Sequence, residues 1–488
     1  MDVIYDIYKK LRSQEIRYLK QQFEMAIFEH EKVGKLFDLI TQFPEQDEDF
    51  YSQKLYGQAP NNTFRVTKTR LKRILENVLL NEKSLSGYGV EIIDQQLQMK
   101  KKLLQAEILL GRGSYKAGRT LLMQCITTAK KYELYQELFQ AEMLMYRHAS
   151  VRVSSDEYGE QVVHIQELNQ KNTDINEALI LHYHTTNSLL HKTLDAEALA
   201  FIRQQIDRIS VISAKTKHPL VWNAHYLSEV YYYQVVSDFD TAWTYSKKYL
   251  ELIQSFPIYY TRQRLANAHI QLSQVSLQLG KVEVAEEHAQ AALKIYSPEE
   301  MNYLIMLEVL FRIAFFSKKY TQAEECVKKA FAHPQFEAAK MLNSQWHYFA
   351  ACVAFYKKEY KMANRYLSGT SSLLSDKYGR NIIIRMLEIV ILYEMGLFDV
   401  IDMRIQSLRP YIKRTVKDEE WLRFQLLFKM LHEWYKVGYD FAMASQQLLL
   451  LVKELEIYNN QKVFRRTDFE LIRLEKWIAE KIGWEVKE

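Results

Sequence analysis

Apolar residues return every three or four positions along almost the whole chain, the spacing of helices that bury one face. Ile16, Leu19, Phe23, Ala26 and Ile27 are followed by Val33, Leu36, Phe37 and Ile40, which predicts a hairpin of two helices within residues 3–41. A polar stretch from Pro44 to Thr63 breaks the period; it contains Gly57 and Pro60 and reads as a connection with a short helix around Phe50 to Leu55. Residues 64–80 resume the helical period through Val66, Leu71, Ile74, Leu75 and Val78. After a break at Ser84 to Gly89, helices are expected at 91–111, 115–130 and 132–147, with Gly111 and Gly113 at the first turn. Val151 to Tyr158 has no helical period and is expected to be a mobile loop. Further helices are expected at 159–169, 174–192, 195–212 and 219–236, the last with Pro219 near its start.

From Phe239 onward the pattern itself repeats. An aromatic or apolar residue, two spacers and a small residue recur at Phe239 to Ala242, Val282 to Ala285, Tyr320 to Ala323 and Tyr360 to Ala363, degenerating to Phe398 to Ile401, at steps of 43, 38, 40 and 38 residues. That regularity marks an array of helix hairpins. The predicted pairs are 219–236 with 239–254, 262–279 with 282–296, 299–317 with 320–332, 338–357 with 360–374, and 379–395 with 398–413. Pro257, Pro298 and Pro334 fall just after second helices, where proline ends a helix without disturbing its interior. Helices 418–436 and 439–458 continue the series and Lys462 to Thr467 interrupts it. Residues 468–482 are amphipathic through Phe469, Ile472, Leu474, Trp477 and Ile478, fit to cover the exposed end of the last hairpin. The chain thus divides into an N-terminal helical region at 1–90 that caps the array, divergent hairpins at 91–236, repeats proper at 237–416, and C-terminal helices with a capping helix at 417–488.

The run Leu279-Gly280-Lys281-Val282-Glu283-Val284-Ala285, followed by Ala289, Ala292-Leu293 and Pro298, resembles the tetratricopeptide repeat family; looser copies run from Lys319-Tyr320 to Ala330 and from Glu359-Tyr360 to Leu367. The family period is about 34 residues, so the longer steps here imply helices about one turn longer. The small residue expected in the first helix is supplied by Ser273 and Ala351, whereas Phe311 and Ile389 stand at the equivalent places. The resemblance implies an all-α fold, a right-handed superhelical solenoid of antiparallel helix pairs with an atypical N-terminal helical region. It also implies that the first helix of each pair lines an inner groove, which puts Tyr231, Gln274, Glu308, Arg312, Phe315, Tyr348, Phe355 and Tyr393 near that groove. Tyrosine and arginine are common binding anchors because they join a large contact area to a polar handle.

Composition agrees with helices: only 14 Gly and 7 Pro in 488 residues disfavour strand-rich architectures. The 65 basic and 60 acidic side chains leave a formal charge of +5, with no global field that would favour nucleic acid. Electrostatic binding must therefore be local, and the most basic stretch is Arg65, Lys68, Arg70, Lys72 and Arg73. It reads as a solvated helix face paired with neighbouring acids or as a contact for phosphate, RNA or an acidic partner. Cys125, Cys326 and Cys352 lack the spacing of a disulfide framework or zinc site and fit a reduced compartment. The start of the chain has no secretory pattern, and the most apolar segment, Asn381 to Phe398, is interrupted by Arg385, Glu388 and Glu394; a cytoplasmic protein without a membrane span is expected.

The usual catalytic and nucleotide-binding signatures are missing. His182, His184 and His191 lie on one predicted helix, but only His184 and His191 share a face and no carboxylate completes a chelate. His225 with Glu229, and Glu308 with Arg312, are four apart, the spacing of surface pairs worth a few tenths of a kcal/mol. The expectation is a protein with no enzymatic activity and no cofactor, a scaffold or adaptor that binds a protein or peptide in the groove. The alternatives are a regulatory sensor responsive to a ligand or peptide, and nucleic-acid binding through the basic helix at 65–73.

Overall fold

The computed structural model describes residues 1–25, 31–81, 85, 90–148, 155–191, 195–337, 340–373, 380–415, 422–461 and 470–484. Among the described residues every regular element is a helix. The chain forms two compact units, one of Met1–Leu181, Arg208–Val221 and Phe256–Thr261, the other of His182–Asp207, Trp222–Ser255 and Arg262–Glu488.

The first unit opens with α1 (Asp2–Lys10), α2 (Ser13–Met25), α3 (Glu31–Gln42), α4 (Glu48–Tyr56) and α5 (Asn62–Val78). The hairpin expected within residues 3–41 is thus three helices. Leu11 leaves the helical region at φ −68° and ψ 136°, and the Arg12 amide donates to the Glu15 carboxylate at 2.6 Å. That is half of a capping box and starts a new helix. The expected connection carries α4, which begins where Asp47 accepts from the Phe50 amide and ends at Gly57, left-handed at φ 70°. Asn61 caps α5 in the same way by accepting from the Phe64 amide. Leu19, Leu36, Phe37, Tyr51, Phe64 and Leu71 close a core of their own among these helices.

Then come α6 (Glu91–Gly111), α7 (Tyr115–Lys131), α8 (Tyr135–Arg147), α9 (Ser155–His191), α10 (Ala196–Thr216) and α11 (Pro219–Val235). The helices expected at 159–169 and 174–192 are one, and α9 begins inside the stretch expected as a loop, of which 151–154 lie outside the described residues. The polar run between them stays helical because its side chains bond within the helix. Thr173 donates to the Asn169 carbonyl at 2.8 Å and Gln170 to the Asp174 carboxylate at 2.9 Å, with no Gly or Pro to interrupt. Apart from Leu85, the break at 84–89 and the interruption at 462–467 also lie outside the described residues.

The second unit contains the repeats: α12 (Phe239–Ser255), α13 (Arg262–Gln278), α14 (Val282–Leu293), α15 (Met301–Phe316), α16 (Tyr320–Phe331), α17 (Lys340–Tyr356), α18 (Tyr360–Leu367), α19 (Arg380–Glu394), α20 (Phe398–Thr415), α21 (Leu422–Lys436) and α22 (Phe441–Gln461). A short α23 (Leu474–Lys481) follows; of the expected 468–482, residues 468–469 lie outside the described residues and 470–473 are not helical. The first helices α13, α15, α17 and α19 end in the same turn, as does α11, where Ser237 is left-handed at φ 63° and the Asp238 amide donates to the Tyr233 carbonyl at 2.9 Å. Gly280, Lys318, Lys358 and Gly396 are left-handed, at φ 71°, 59°, 62° and 73°. The next amide reaches five residues back, from Lys281 to Ser276, Lys319 to Ala314, Glu359 to Ala354 and Leu397 to Leu392, at 2.8–3.0 Å. This is the Schellman closure, and it aims each second helix back along the first.

The recurring small residues sit where the paired helices pack: Ala242, Ala285, Ala323 and Ala363 are fully buried. In one pair the Ser273 hydroxyl donates to the Ala285 carbonyl at 2.6 Å, bringing α13 and α14 together at two small side chains. Phe311, which stands in place of a small residue, stacks on Phe349 of the next first helix at 4.5 Å between centroids. The fold is an all-α helical repeat.

Candidate functional site

Polar side chains at one recurring position join the first helices of the second unit in two pairs, α11 with α13 and α15 with α17. Gln234 on α11 donates to Gln271 on α13 at 3.0 Å, 37 residues away. Gln345 on α17 donates to Glu308 on α15 at 2.9 Å over the same interval. Gln271 and Glu308 are separated by the same step, so one position in each of four hairpins carries an amide or carboxylate. Gln271 also donates to Asn267 at 3.3 Å and to the Tyr231 hydroxyl at 3.5 Å. Glu308 accepts from Arg312 at 2.8 and 3.0 Å. Gln271 is buried while Gln234, Glu308 and Gln345 remain half-exposed. The strip thus keeps an open polar edge above an apolar floor that includes Leu307 and Phe311.

The structure separates the predicted groove residues into two sets. Tyr231, Gln274 and Glu308 are half-buried on α11, α13 and α15, and Tyr231 and Glu308 belong to the polar strip. Arg312 is 6% exposed, pinned to Glu308 with its guanidinium 5.3 Å from the centre of the Phe349 ring. Phe315 and Phe355 are core residues. Tyr348 is fully buried; its hydroxyl accepts from the Leu471 amide at 3.3 Å, and burial holds its phenol well above the ordinary range. Tyr393 is ringed by Phe398, Trp434, Phe441 and Trp477 at 4.7–5.8 Å.

Tyr348 and Tyr393 are covered because the end of the chain lies over α17, α19 and α21. Trp477 donates to Glu394 at 2.8 Å, Lys481 pairs with Glu394 at 2.8 Å, and Arg423 holds both Glu470 and Glu475. Glu475, with burial opposing, is kept below the ordinary carboxylate range by Arg423 and Arg473. Between Glu470, Ile472 and Leu474 and the residues Ile383, Met386, Leu387, Val390 and Leu427 only about 20 Å³ remains, room for about one water. Expected as a helix that covers the last hairpin, this segment buries Ile472, Leu474, Trp477 and Ile478.

Each of the two pairs expected as surface support has one buried and one half-buried member: Glu229 with His225, and Arg312 with Glu308. Glu229 is 3% exposed and takes two bonds from Arg203, at 2.6 and 2.9 Å, as well as one from His225 at 3.3 Å. Burial raises its carboxyl, but the bonds from Arg203 and His225 outweigh that and hold it below the ordinary range. Arg203 also lies over Tyr232, and Tyr233 stacks on Tyr245 nearby. Sequence spacing missed Arg203, which reaches Glu229 across 26 residues from another helix. His182 bonds Ser228 at 2.8 Å and His184 bonds Gln205 at 2.9 Å, so the two rings have separate partners.

The basic helix α5 lies in the first unit. Lys68 pairs with Glu48 at 2.7 Å and Lys72 with Glu76 at 3.6 Å. Arg65, Arg70 and Arg73 are exposed. Among the described residues no helix is long and apolar enough to cross a membrane, and Cys125, Cys326 and Cys352 are free thiols.

Compared with known proteins, the sequence matches no family model and no curated protein. Among solved structures it is similar to the apo form of RapI, at 12% identity over 79% of this chain and 98% of that one, with a TM-score of 0.43. It is also similar to a signal transduction ATPase with numerous domains from Pyrococcus horikoshii that carries a tetratricopeptide repeat sensor. Identity there is 13% over 83% of this chain and 67% of that one, with a TM-score of 0.41.

Proposed function

We propose that the chain is a non-catalytic cytoplasmic scaffold that holds an extended segment of a partner protein along the first helices α11, α13, α15 and α17. The observation that carries this reading is the line Gln234, Gln271, Glu308 and Gln345, one residue per hairpin. A carboxamide offers donors and an acceptor together, the same pair that each residue of a peptide backbone presents. Packed helices lie about 8–10 Å apart, and extended chain advances about 3.3 Å per residue. One rung therefore meets about every third residue of a bound segment. Gln234 and Gln345 each use one N–H toward the neighbouring helix and keep a second N–H and the carbonyl oxygen, so a bond to the peptide is added to the existing one, at a net gain of about 1 kcal/mol per bond.

The test is selection of displayed random peptides on the full chain, then titration calorimetry of a recovered peptide against wild type and the double variant Gln234→Ala, Gln345→Ala. Both residues are half-exposed, so the variant is expected to fold. Loss of two bonds of about 1 kcal/mol each predicts about 30-fold weaker binding. Equal binding by the variant, or no enriched peptide, contradicts the reading.

A further inference from the structure

The exposed face of α5 is basic. Of its five cations, Lys68 and Lys72 are occupied by Glu48 and Glu76. Arg65, Arg70 and Arg73 are exposed and make no ion pair among the described residues. Its first turn contains no acidic residue, although helix starts favour acids, so the positive end of the helix dipole adds to the same field.

The elements beneath hold this face rigidly. α4 ends at left-handed Gly57, the chain turns through Gly57 to Asn61, and Asn61 caps α5. The Tyr56 and Thr67 hydroxyls bond at 2.7 Å and Lys68 reaches back to Glu48, so α5 is tied to α4 at two points. α3 packs on both helices, and Phe64, Leu71 and Leu75 anchor the inner side of α5 in the core they share. The outer side of α5 is thus held as an exposed helix face of the kind that the major groove of DNA admits.

We propose that α5 is a duplex-DNA contact helix, a binding surface separate from the polar strip of the repeats. Its exposed N-terminal half presents Asn62, Arg65, Val66 and Thr69, with Val66 44% exposed. These are base-edge chemistries: Asn for adenine, Arg for guanine and an aliphatic group for the thymine methyl. Arg70 and Arg73 follow, placed for backbone phosphates. A single rigid helix suits the wide major groove of B-form DNA, whereas the deep, narrow groove of duplex RNA excludes it. The exposed face carries no aromatic ring on which an unpaired base would stack.

The experiment is fluorescence anisotropy of the full chain with a pool of short random-sequence DNA duplexes, repeated with duplex RNA and across a salt series. Two phosphate contacts, at Arg70 and Arg73, give a slope of about −1.8 in log K against log salt, about a 12-fold loss between about 50 and 200 mM. The variant Arg65→Gln, Arg70→Gln, Arg73→Gln is expected to abolish that salt dependence and weaken binding at low salt by at least tenfold. Its far-UV circular dichroism is expected to match wild type because all three positions are exposed. A charge-matched variant of exposed lysines elsewhere, Lys294→Gln, Lys329→Gln, Lys361→Gln, is expected to bind like wild type. No duplex binding, tighter binding to RNA than to DNA, or equal losses in the two triple variants would each overturn the proposal.

Discussion

His182 couples the stability of the second unit to pH. Burial, aided by the charge of Arg264, lowers its imidazole from 6.5 to about 4. The unfolded chain therefore takes up a proton first as pH falls. The stabilisation is complete above about pH 6.5 and is lost progressively down to about pH 4. Between pH 7 and pH 5 His182 is expected to account for a loss of about 2 kcal/mol in urea unfolding, removed in His182→Gln; His269, His288 and His347, whose imidazoles burial also lowers, add a loss of the same sign that the variant retains. Glu229 also loses its contribution as pH falls, but below its ordinary value of 4.5, a lower window than that of the histidine. A pH-independent midpoint between 7 and 5 would contradict the assignment of His182. At this scale the sequence showed which side chains were present and not how deeply they lay. Arg312 and Tyr348 have the chemistry of binding anchors, yet one is pinned to Glu308 and the other lies beneath Leu471. Burial of that kind depends on contacts as distant in sequence as Tyr348 and Leu471, 123 residues apart.

The hairpins that begin with α11, α13, α15 and α17 are closed by a small residue early in the second helix and a left-handed residue at the turn. Ala323 is fully buried in the core between α15 and α16. Ala323→Leu is expected to destabilise by about 1–3 kcal/mol through overpacking, read as a lower urea midpoint; an unchanged midpoint would show the contact to be loose. The repeats were legible for this reason: periodic apolar positions and recurring small residues are local signals, and the expected pairs lie within a few residues of those observed. The N-terminal hairpin and the split of α9 were misread because their boundaries rest on single side-chain bonds. The Glu15 carboxylate starts α2, and the Thr173 and Gln170 side chains keep α9 continuous. Such bonds leave no periodic trace.

Across the molecule, the candidate sites differ in legibility. The basic stretch on α5 was visible as composition, but the division of its cations into paired and exposed sets needed Glu48 and Glu76 in place. The polar strip was only half visible. Tyr231 and Glu308 were singled out, whereas Gln234, Gln271 and Gln345 became significant once hydrogen bonds joined α11 to α13 and α15 to α17. The covered face of α17, α19 and α21 leaves α11, α13, α15 and the start of α17 as the stretch of first helices on which the proposed partner lies. Amide hydrogen exchange of the full chain, with and without a selected peptide, tests this most directly. The account predicts slowed exchange in α11, α13, α15 and the start of α17, with α12, α14 and α16 unchanged. Protection confined to second helices, or to the first unit, would contradict it.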